Sequence, residues 1–212
     1  GYINTQDAFA LLALYLLEVK GERGPLVKSI TSSDMIFRLG DLYNVPVYET
    51  GIGFKHAGQV MMRENALMAG EESGGYAFRG HIPERDGILS SLYMVELMAK
   101  KDMAASELVQ YLHSKVGEHH YRRRDITLSD KDRSRLSQLL SKGSTLTCIA
   151  GLKVTSVDST EGLRFRFEQG WLALRFSGTE PLLRIYAEGP TPDTVEALLD
   201  GAAEFLGVGA AQ

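Results

Sequence analysis

The sequence predicts two domains of different class. Residues 1–117 read as an α/β domain, a mixed and largely parallel sheet with helices on both faces. Residues 118–212 read as a smaller α+β domain, an antiparallel sheet with helices on one face. Three observations carry this. Residues 26–30 and 45–48 are strand-like and separated by a helical pattern, an order that implies a parallel pair joined by a crossover. Residues 145–188 hold a succession of strand-like runs with no helix between them. Between the two regions, 117–124 is polar and basic, with His119-His120 and Arg122-Arg123-Arg124, and reads as a linker.

Composition bounds what the chain does. Its 212 residues suffice for one large or two ordinary domains, and 44% hydrophobic content supplies apolar material for cores. A net charge of −4 argues against a general attraction to nucleic acid or an anionic membrane, so any phosphate site must be local. The single Cys148 leaves no internal disulfide or cysteine zinc cluster and reads as a small buried strand residue of a cytoplasmic protein. The longest apolar run, 8–17, falls short of the roughly 20 residues a membrane span needs. No basic leader with a cleavage site precedes it. The start at Gly1, without an initiator Met, hints at a fragment.

In order, Asn4 with Asp7 resembles a capping box, and Phe9, Leu12 and Leu16 mark a helix ending near Gly21. After the strand at 26–30, Ser33 or Asp34 caps a helix reaching Leu42, and 45–48 is the next strand. Gly51 and Gly53 then let the backbone turn and present Lys55 at the carboxyl edge of that strand, where α/β sheets place ligands; a solvated lysine is the plain alternative. A helix over 57–64 leads to a strand at 66–69. That strand runs into Gly70-Glu71-Glu72-Ser73-Gly74-Gly75, where carboxylates and a hydroxyl between glycines suit a polyol reader, a metal, or nothing. Asp86 caps the helix 88–100, while His81 and Arg85 read individually as surface residues. A further helix begins at Ser106.

In the second half, Ser129 caps a helix to about Leu140. Strands follow at 145–149, 151–156, 163–167, 171–176 and 182–188, and Thr191-Pro192 opens a last helix. Between the final two strands lies Arg175-Phe176-Ser177-Gly178-Thr179-Glu180-Pro181, with Arg184 just beyond. Two guanidinium groups, two hydroxyls and backbone N–H groups around a glycine suit a phosphate. An ordinary hairpin loop whose Ser and Thr bond their own backbone is the alternative.

Taken together, Thr50-Gly-Ile-Gly-Phe-Lys-His56, Gly70-Glu-Glu-Ser-Gly-Gly75 with His81-Ile-Pro-Glu-Arg-Asp-Gly87, and Arg175-Phe-Ser-Gly-Thr-Glu-Pro181 resemble, in order, motifs of the α-D-phosphohexomutases, the family of phosphoglucomutase and phosphomannomutase. The resemblance covers nearly the whole chain and implies the third and fourth of four domains around a cleft. It implies that Glu71 or Glu72, with Ser73, holds the sugar 3- and 4-hydroxyls, Glu71 and Ser73 being the better pair, with Lys55, Gly74 and Arg85 from the same motifs. It implies that Arg175, Ser177, Gly178, Thr179 and Arg184 grip the substrate phosphate. Family phosphomannomutases often have His where Gly75 stands, so a glucose or mannose preference stays open.

The family's phosphoserine, in a Ser-His-Asn-Pro context, and its Mg²⁺ loop, Asp-x-Asp-x-Asp-Arg, have no match here. Asp130-Lys131-Asp132-Arg133 imitates only the tail of the latter, with Leu128 where the first aspartate belongs. No catalytic residue is therefore expected in this chain, which is predicted inactive alone. The resemblance implies a full-length enzyme that uses Mg²⁺ and glucose (or mannose) 1,6-bisphosphate, with the N-terminal domains and a phosphorylated hexose as partners. A non-catalytic sugar-phosphate-binding module and half of a phosphohexosamine mutase are the alternatives.

Overall fold

The computed structural model describes residues 3–143 and 145–208, and the chain divides into two compact units between Glu118 and His119. Gly1, on which the expectation of a fragment rests, lies outside the described residues.

The first unit opens with α1 (Thr5–Leu14), whose first turn is satisfied by Asn4: its Oδ1 accepts from the N–H groups of Gln6 and Asp7, each at 2.9 Å. The helix then widens into a π-helical stretch, Tyr15–Val19. Within it, Glu18 takes hydrogen bonds from Tyr43 and Tyr111 at 2.5 Å each, and pairs with Lys101 and with Lys115, the latter at 3.0 Å. Burial by itself would raise the Glu18 carboxyl; bonds from Lys101, Tyr111, Tyr43 and Lys115 outweigh it and bring the pKa down to about 2.

There follow β1 (Leu26–Ser29), α2 (Met35–Tyr43), β2 (Val47–Thr50), α3 (Phe54–Arg63), β3 (Met68–Gly70), β4 (Tyr76–Phe78), α4 (Gly87–Lys101) and α5 (Ala105–Val116). The sheet order is β2-β1-β3-β4, with β1 parallel to β2 and β3, and β4 antiparallel. Alternation along the strands builds two cores. Leu26, Met68 and Phe78 meet apolar residues of α1, α2, α4 and α5, while Val27, Ala69 and Ala77 meet Phe54, Ala57 and Met61 of α3. Each large side chain so buried contributes about 1.5–3 kcal/mol. Strand β4 was not expected: three residues between glycine-containing loops carry too little periodicity to register.

In the second unit, β5 (His120–Thr127), β11 (Leu182–Gly189), β10 (Trp171–Phe176), β9 (Leu163–Arg166) and β8 (Ser156–Asp158) form an antiparallel sheet in that order. Helices α6 (Asp130–Gly143) and α7 (Pro192–Leu206) supply Leu136, Val195, Leu198 and Leu199 to one face, against Phe165, Leu172, Leu174, Leu183 and Ile185. Ser129 and Thr191 cap these helices: Ser129 Oγ accepts from Asp132 N at 3.2 Å and Thr191 Oγ1 from Thr194 N at 3.1 Å.

Two expectations need correction. Residues 120–124 are not linker but the start of β5, an edge strand. Its arginines answer carboxylates, not apolar neighbours: Arg122 meets Glu196 at 2.7 Å, Arg124 meets Asp200 at 2.9 Å, and Arg123 meets Asp125 at 2.9 Å. A charged edge resists pairing with another chain but leaves no hydrophobic period to read. Cys148 is exposed, not buried, because 145–155 forms only the short hairpin β6 (Cys148–Ile149) and β7 (Leu152–Lys153), in which Ile149 enters the core and Leu152 packs partly against it.

Candidate functional site

In the first unit, the three parallel strands end at Ser29, Thr50 and Gly70, so the segments after them gather along one edge of the sheet. Such an edge is where open α/β sheets bind ligands. Glu71 opens the third of these segments and is 7% exposed. Its Oε1 accepts the N–H of Gly53 at 2.8 Å, a bond that joins the two glycine-containing loops. The loop closes on itself through Glu71 N to Gly75 O at 3.1 Å and Gly74 N to Glu71 O at 3.0 Å. From α1, Thr5 Oγ1 donates to Glu72 O at 2.7 Å, while Tyr76 Oη donates to Thr5 O at 2.5 Å.

Ser73 at the loop tip is exposed and Glu72 half-buried. Gly74 sits at φ +90°, and a Cβ there would stand 2.9 Å from Thr5 Cγ2, so glycine fits both the turn and the contact. Lys55 is exposed on the first turn of α3, which starts at Phe54, three residues earlier than the sequence pattern places it. Arg85 is exposed, with its guanidinium 5.5 Å from the Phe54 ring centroid. His81 Nε2 and Asp86 Oδ2 lie 2.8 Å apart, and Asp86 Oδ1 accepts from Leu89 N at 2.9 Å, the cap expected of it.

The same edge holds residues that the sequence reading passed over. Lys28 is fully buried on β1, 3.0 Å from Glu49 Oε2 and 3.4 Å from Asp34 Oδ1, with Phe37 beneath its ammonium at 4.5 Å. Ser29, Thr31 and Ser32 are buried beside it, as is Ser33, the cap candidate, whose Oγ accepts from Met35 N at 3.0 Å. Gln6 fastens this segment, donating to Thr31 O at 3.1 Å and accepting from Ser33 N at 2.8 Å. A lysine inside an apolar strand, followed by a run of hydroxyls, was the available signal, because a buried charge must find partners.

In the second unit, Arg175 on β10 and Arg184 on β11 stand directly opposite in the ladder, and Arg184 is opposite Asp125 of β5. Like charges at facing positions repel. Carboxylates offset them: Arg175 Nε is 3.8 Å from Glu161, and Arg184 reaches Glu180 at 2.5 Å and Asp125 at 3.9 Å. Between the strands, Ser177 is buried, and its Oγ accepts from Glu180 N at 3.3 Å and Thr179 N at 3.5 Å. Gly178 and Thr179 are exposed. A cavity of about 280 Å³ opens beside the loop, lined by Ser177, Gly178 and Thr179 and, from the α6 side, by Ser129 and Arg133. Neither Arg175 nor Arg184 lines it.

Among the described residues, no three His, Cys, Asp or Glu side chains gather to hold a metal ion. No helix among them is long and apolar enough to cross a membrane.

Comparison with known proteins bears on both units. Residues 4–116 match "Phosphoglucomutase/phosphomannomutase, alpha/beta/alpha domain III" and residues 133–205 match "Phosphoglucomutase/phosphomannomutase, C-terminal domain". A phosphoglucomutase/phosphomannomutase of Thermococcus kodakarensis is 27% identical over 97% of this chain and 42% of its own length. A phosphoglucosamine/phosphogalactosamine mutase of Sulfurisphaera tokodaii is 25% identical over 94% of this chain and 42% of its own. A crystal structure from Thermus thermophilus, described as that of a phosphomannomutase, superposes with a TM-score of 0.79 at 31% identity, covering 96% of this chain and 41% of that one. The chain thus spans about two fifths of the length of these relatives. With both units matched in order, it belongs to the phosphoglucomutase/phosphomannomutase family, as its third and C-terminal domains.

Proposed function

We propose that this chain is the sugar- and phosphate-binding part of an enzyme that interconverts a hexose 1-phosphate and a hexose 6-phosphate, glucose first and mannose second, through a phosphoserine and a bisphosphate intermediate. The observation that carries the reading is the facing pair Arg175 and Arg184 beside the Ser177-Gly178-Thr179 loop, in a chain whose two units both match the family. Two guanidinium groups held opposite each other are stabilised by a dianion in a way that single carboxylates do not match. Binding of a phosphate exchanges the Arg184–Glu180 pair for contacts with the ligand. In the first unit, Glu71 and Ser73, with Glu72, Lys55 and Arg85 beside them, read the ring hydroxyls; Glu71 Oε1 also holds Gly53 N, which joins the two loops. Mg²⁺ and the phosphoserine belong, in this reading, to a part of the enzyme beyond these two domains, which alone do not turn over substrate. A phosphohexosamine mutase is the second reading, favoured by the Sulfurisphaera relative.

The test is an assay of glucose 1-phosphate conversion with Mg²⁺ and glucose 1,6-bisphosphate, run on this chain and on the full reading frame that contains it. Turnover by the longer protein and none by this chain is expected. Turnover by this chain alone would place catalysis within it and overturn the assignment. A longer protein inactive on glucose and mannose phosphates but active on glucosamine phosphate would select the second reading.

A further inference from the structure

Among the described residues, Leu42, Met62, Ile82, Ile88, Leu92 and Val95 are the large apolar side chains left exposed, and three of them share one helix. On α4, Ile88 is 78% exposed, Leu92 60% and Val95 62%. Their i, i+4, i+7 spacing puts them on a single stripe, which the exposed Ala99 continues. The opposite side of the helix is already used: Leu97 is buried in the first unit's core, with Leu89, Tyr93 and Met98 packed against it. Ile82, 61% exposed, stands next to His81, which touches the cap residue Asp86 at the start of the same helix. A surface helix ordinarily turns charged residues outward. An apolar stripe of this length, rimmed by Ser91 and Glu96, is the mark of a face made to be covered.

We propose that the Ile88–Leu92–Val95 face of α4 is where the preceding domains of the longer polypeptide dock. The matched region of the first unit is by its description a third domain, and the relatives carry more than half their length outside the region this chain matches. A second copy of this chain is a poorer occupant. Four side chains offer a patch of a few hundred Å², well under the roughly 800 Å² per partner of a stable free-standing dimer. Domains joined in one chain dock through smaller and weaker surfaces, because tethering supplies a high effective concentration. The stripe also begins directly after the 81–87 loop, which carries the candidate ligand residue Arg85. The inference rests on family membership and not on the mutase reading, so each can fail without the other.

Maleimide labelling tests it. In a Cys148→Ser background, Leu92→Cys is introduced into this chain and into the full reading frame, with Leu42→Cys as the comparison site. Leu92→Cys is expected to react at least tenfold more slowly in the longer protein, while Leu42→Cys changes little. Equal rates at Leu92→Cys in both proteins would overturn the proposal, as would an equal slowing at both sites. Slow labelling in this chain that quickens on dilution would assign the face to a second copy instead. A reading frame with nothing ahead of this region also overturns it.

Discussion

In the first unit, the Glu71–Gly75 loop is fastened to segments distant in sequence: Thr5 holds Glu72 O at 2.7 Å, Tyr76 holds Thr5 O at 2.5 Å, and Glu71 itself holds Gly53 N at 2.8 Å. In the second unit, the loop after Phe176 leans mainly on itself and its flanking strands, with one distant bond, from Leu128 N to Pro181 O at 2.8 Å. Ser177 Oγ accepts two longer bonds from Thr179 and Glu180, and Ser177 N reaches Leu182 O at 2.8 Å. The difference suits what each would bind. A hydroxyl pattern is read by direction, and a reader that moves loses discrimination. A phosphate is bound largely by charge, and arginines already held by carboxylates can exchange one anion for another. Rigidity in the first loop is therefore non-local, and damage far from it should reach it.

The largest effect should come from the brace beneath the first loop. A Cβ on Gly70 would fall 2.5 Å from Cζ of the fully buried Phe9 ring. Gly70→Ala should cost about 2–3 kcal/mol through overpacking. Calorimetry should show the first unit's transition falling while the second's holds; a uniform shift would mean the two units melt together.

A similar magnitude should appear with acid, again on one side only. The folded pKa of Glu18, about 2, lies below its ordinary value of 4.5. Its contribution, about 3 kcal/mol from the size of that shift, is thus fully present above pH ~4.5 and lost as pH falls toward 2. Melting of the first unit between pH 6 and pH 2 should be steeper in the parent than in Glu18→Gln, with no such difference in the second unit.

Arg175→Ala should weaken binding of glucose 6-phosphate by about 1.5–3 kcal/mol, the size of a charge-assisted hydrogen bond. Melting of the second unit should change little, since Glu161 loses only a half-exposed partner at 3.8 Å. Titration calorimetry gives the affinity, and an unchanged value would remove Arg175 from the proposed phosphate site. The smallest effect belongs to Thr5→Val, which deletes one side-chain bond to Glu72 O at an expected cost of about 1 kcal/mol. Amide exchange over 71–75 should quicken there, while exchange over 177–181 stays as it was.

Which of these residues could be seen in advance follows from the range of the interaction that places them. Asn4, Asp86 and Ser129 were identified as caps, and Thr191 as the opening of a helix, because a cap bonds its own helix a few residues on. The glycine-containing loops were visible for the same reason, and with them the candidate ligand residues at 71–75 and 175–179. Lys28, Gln6 and the π-helical stretch at Tyr15–Val19 were not. Their partners lie from six to nearly a hundred residues away, and even where a local signal exists, as for Lys28 in its apolar strand, it does not say which partners arrive. Residues 120–124 misled because charge satisfied by charge on an edge strand looks, in sequence, like charge left in water.

The sequence by itself determined the two fold classes, most element boundaries, the helix caps and the family motifs, all of which rest on periodicity or on contacts within one turn or loop. Only the tertiary structure decided that Glu71 turns one oxygen onto Gly53 and that Arg175 and Arg184 face each other under three carboxylates. It alone showed Lys28 buried whole and α4 carrying an apolar stripe outward. Pairing across a sheet and burial of charge depend on register and on which distant carboxylate arrives, and neither is encoded in the spacing of residues along the chain.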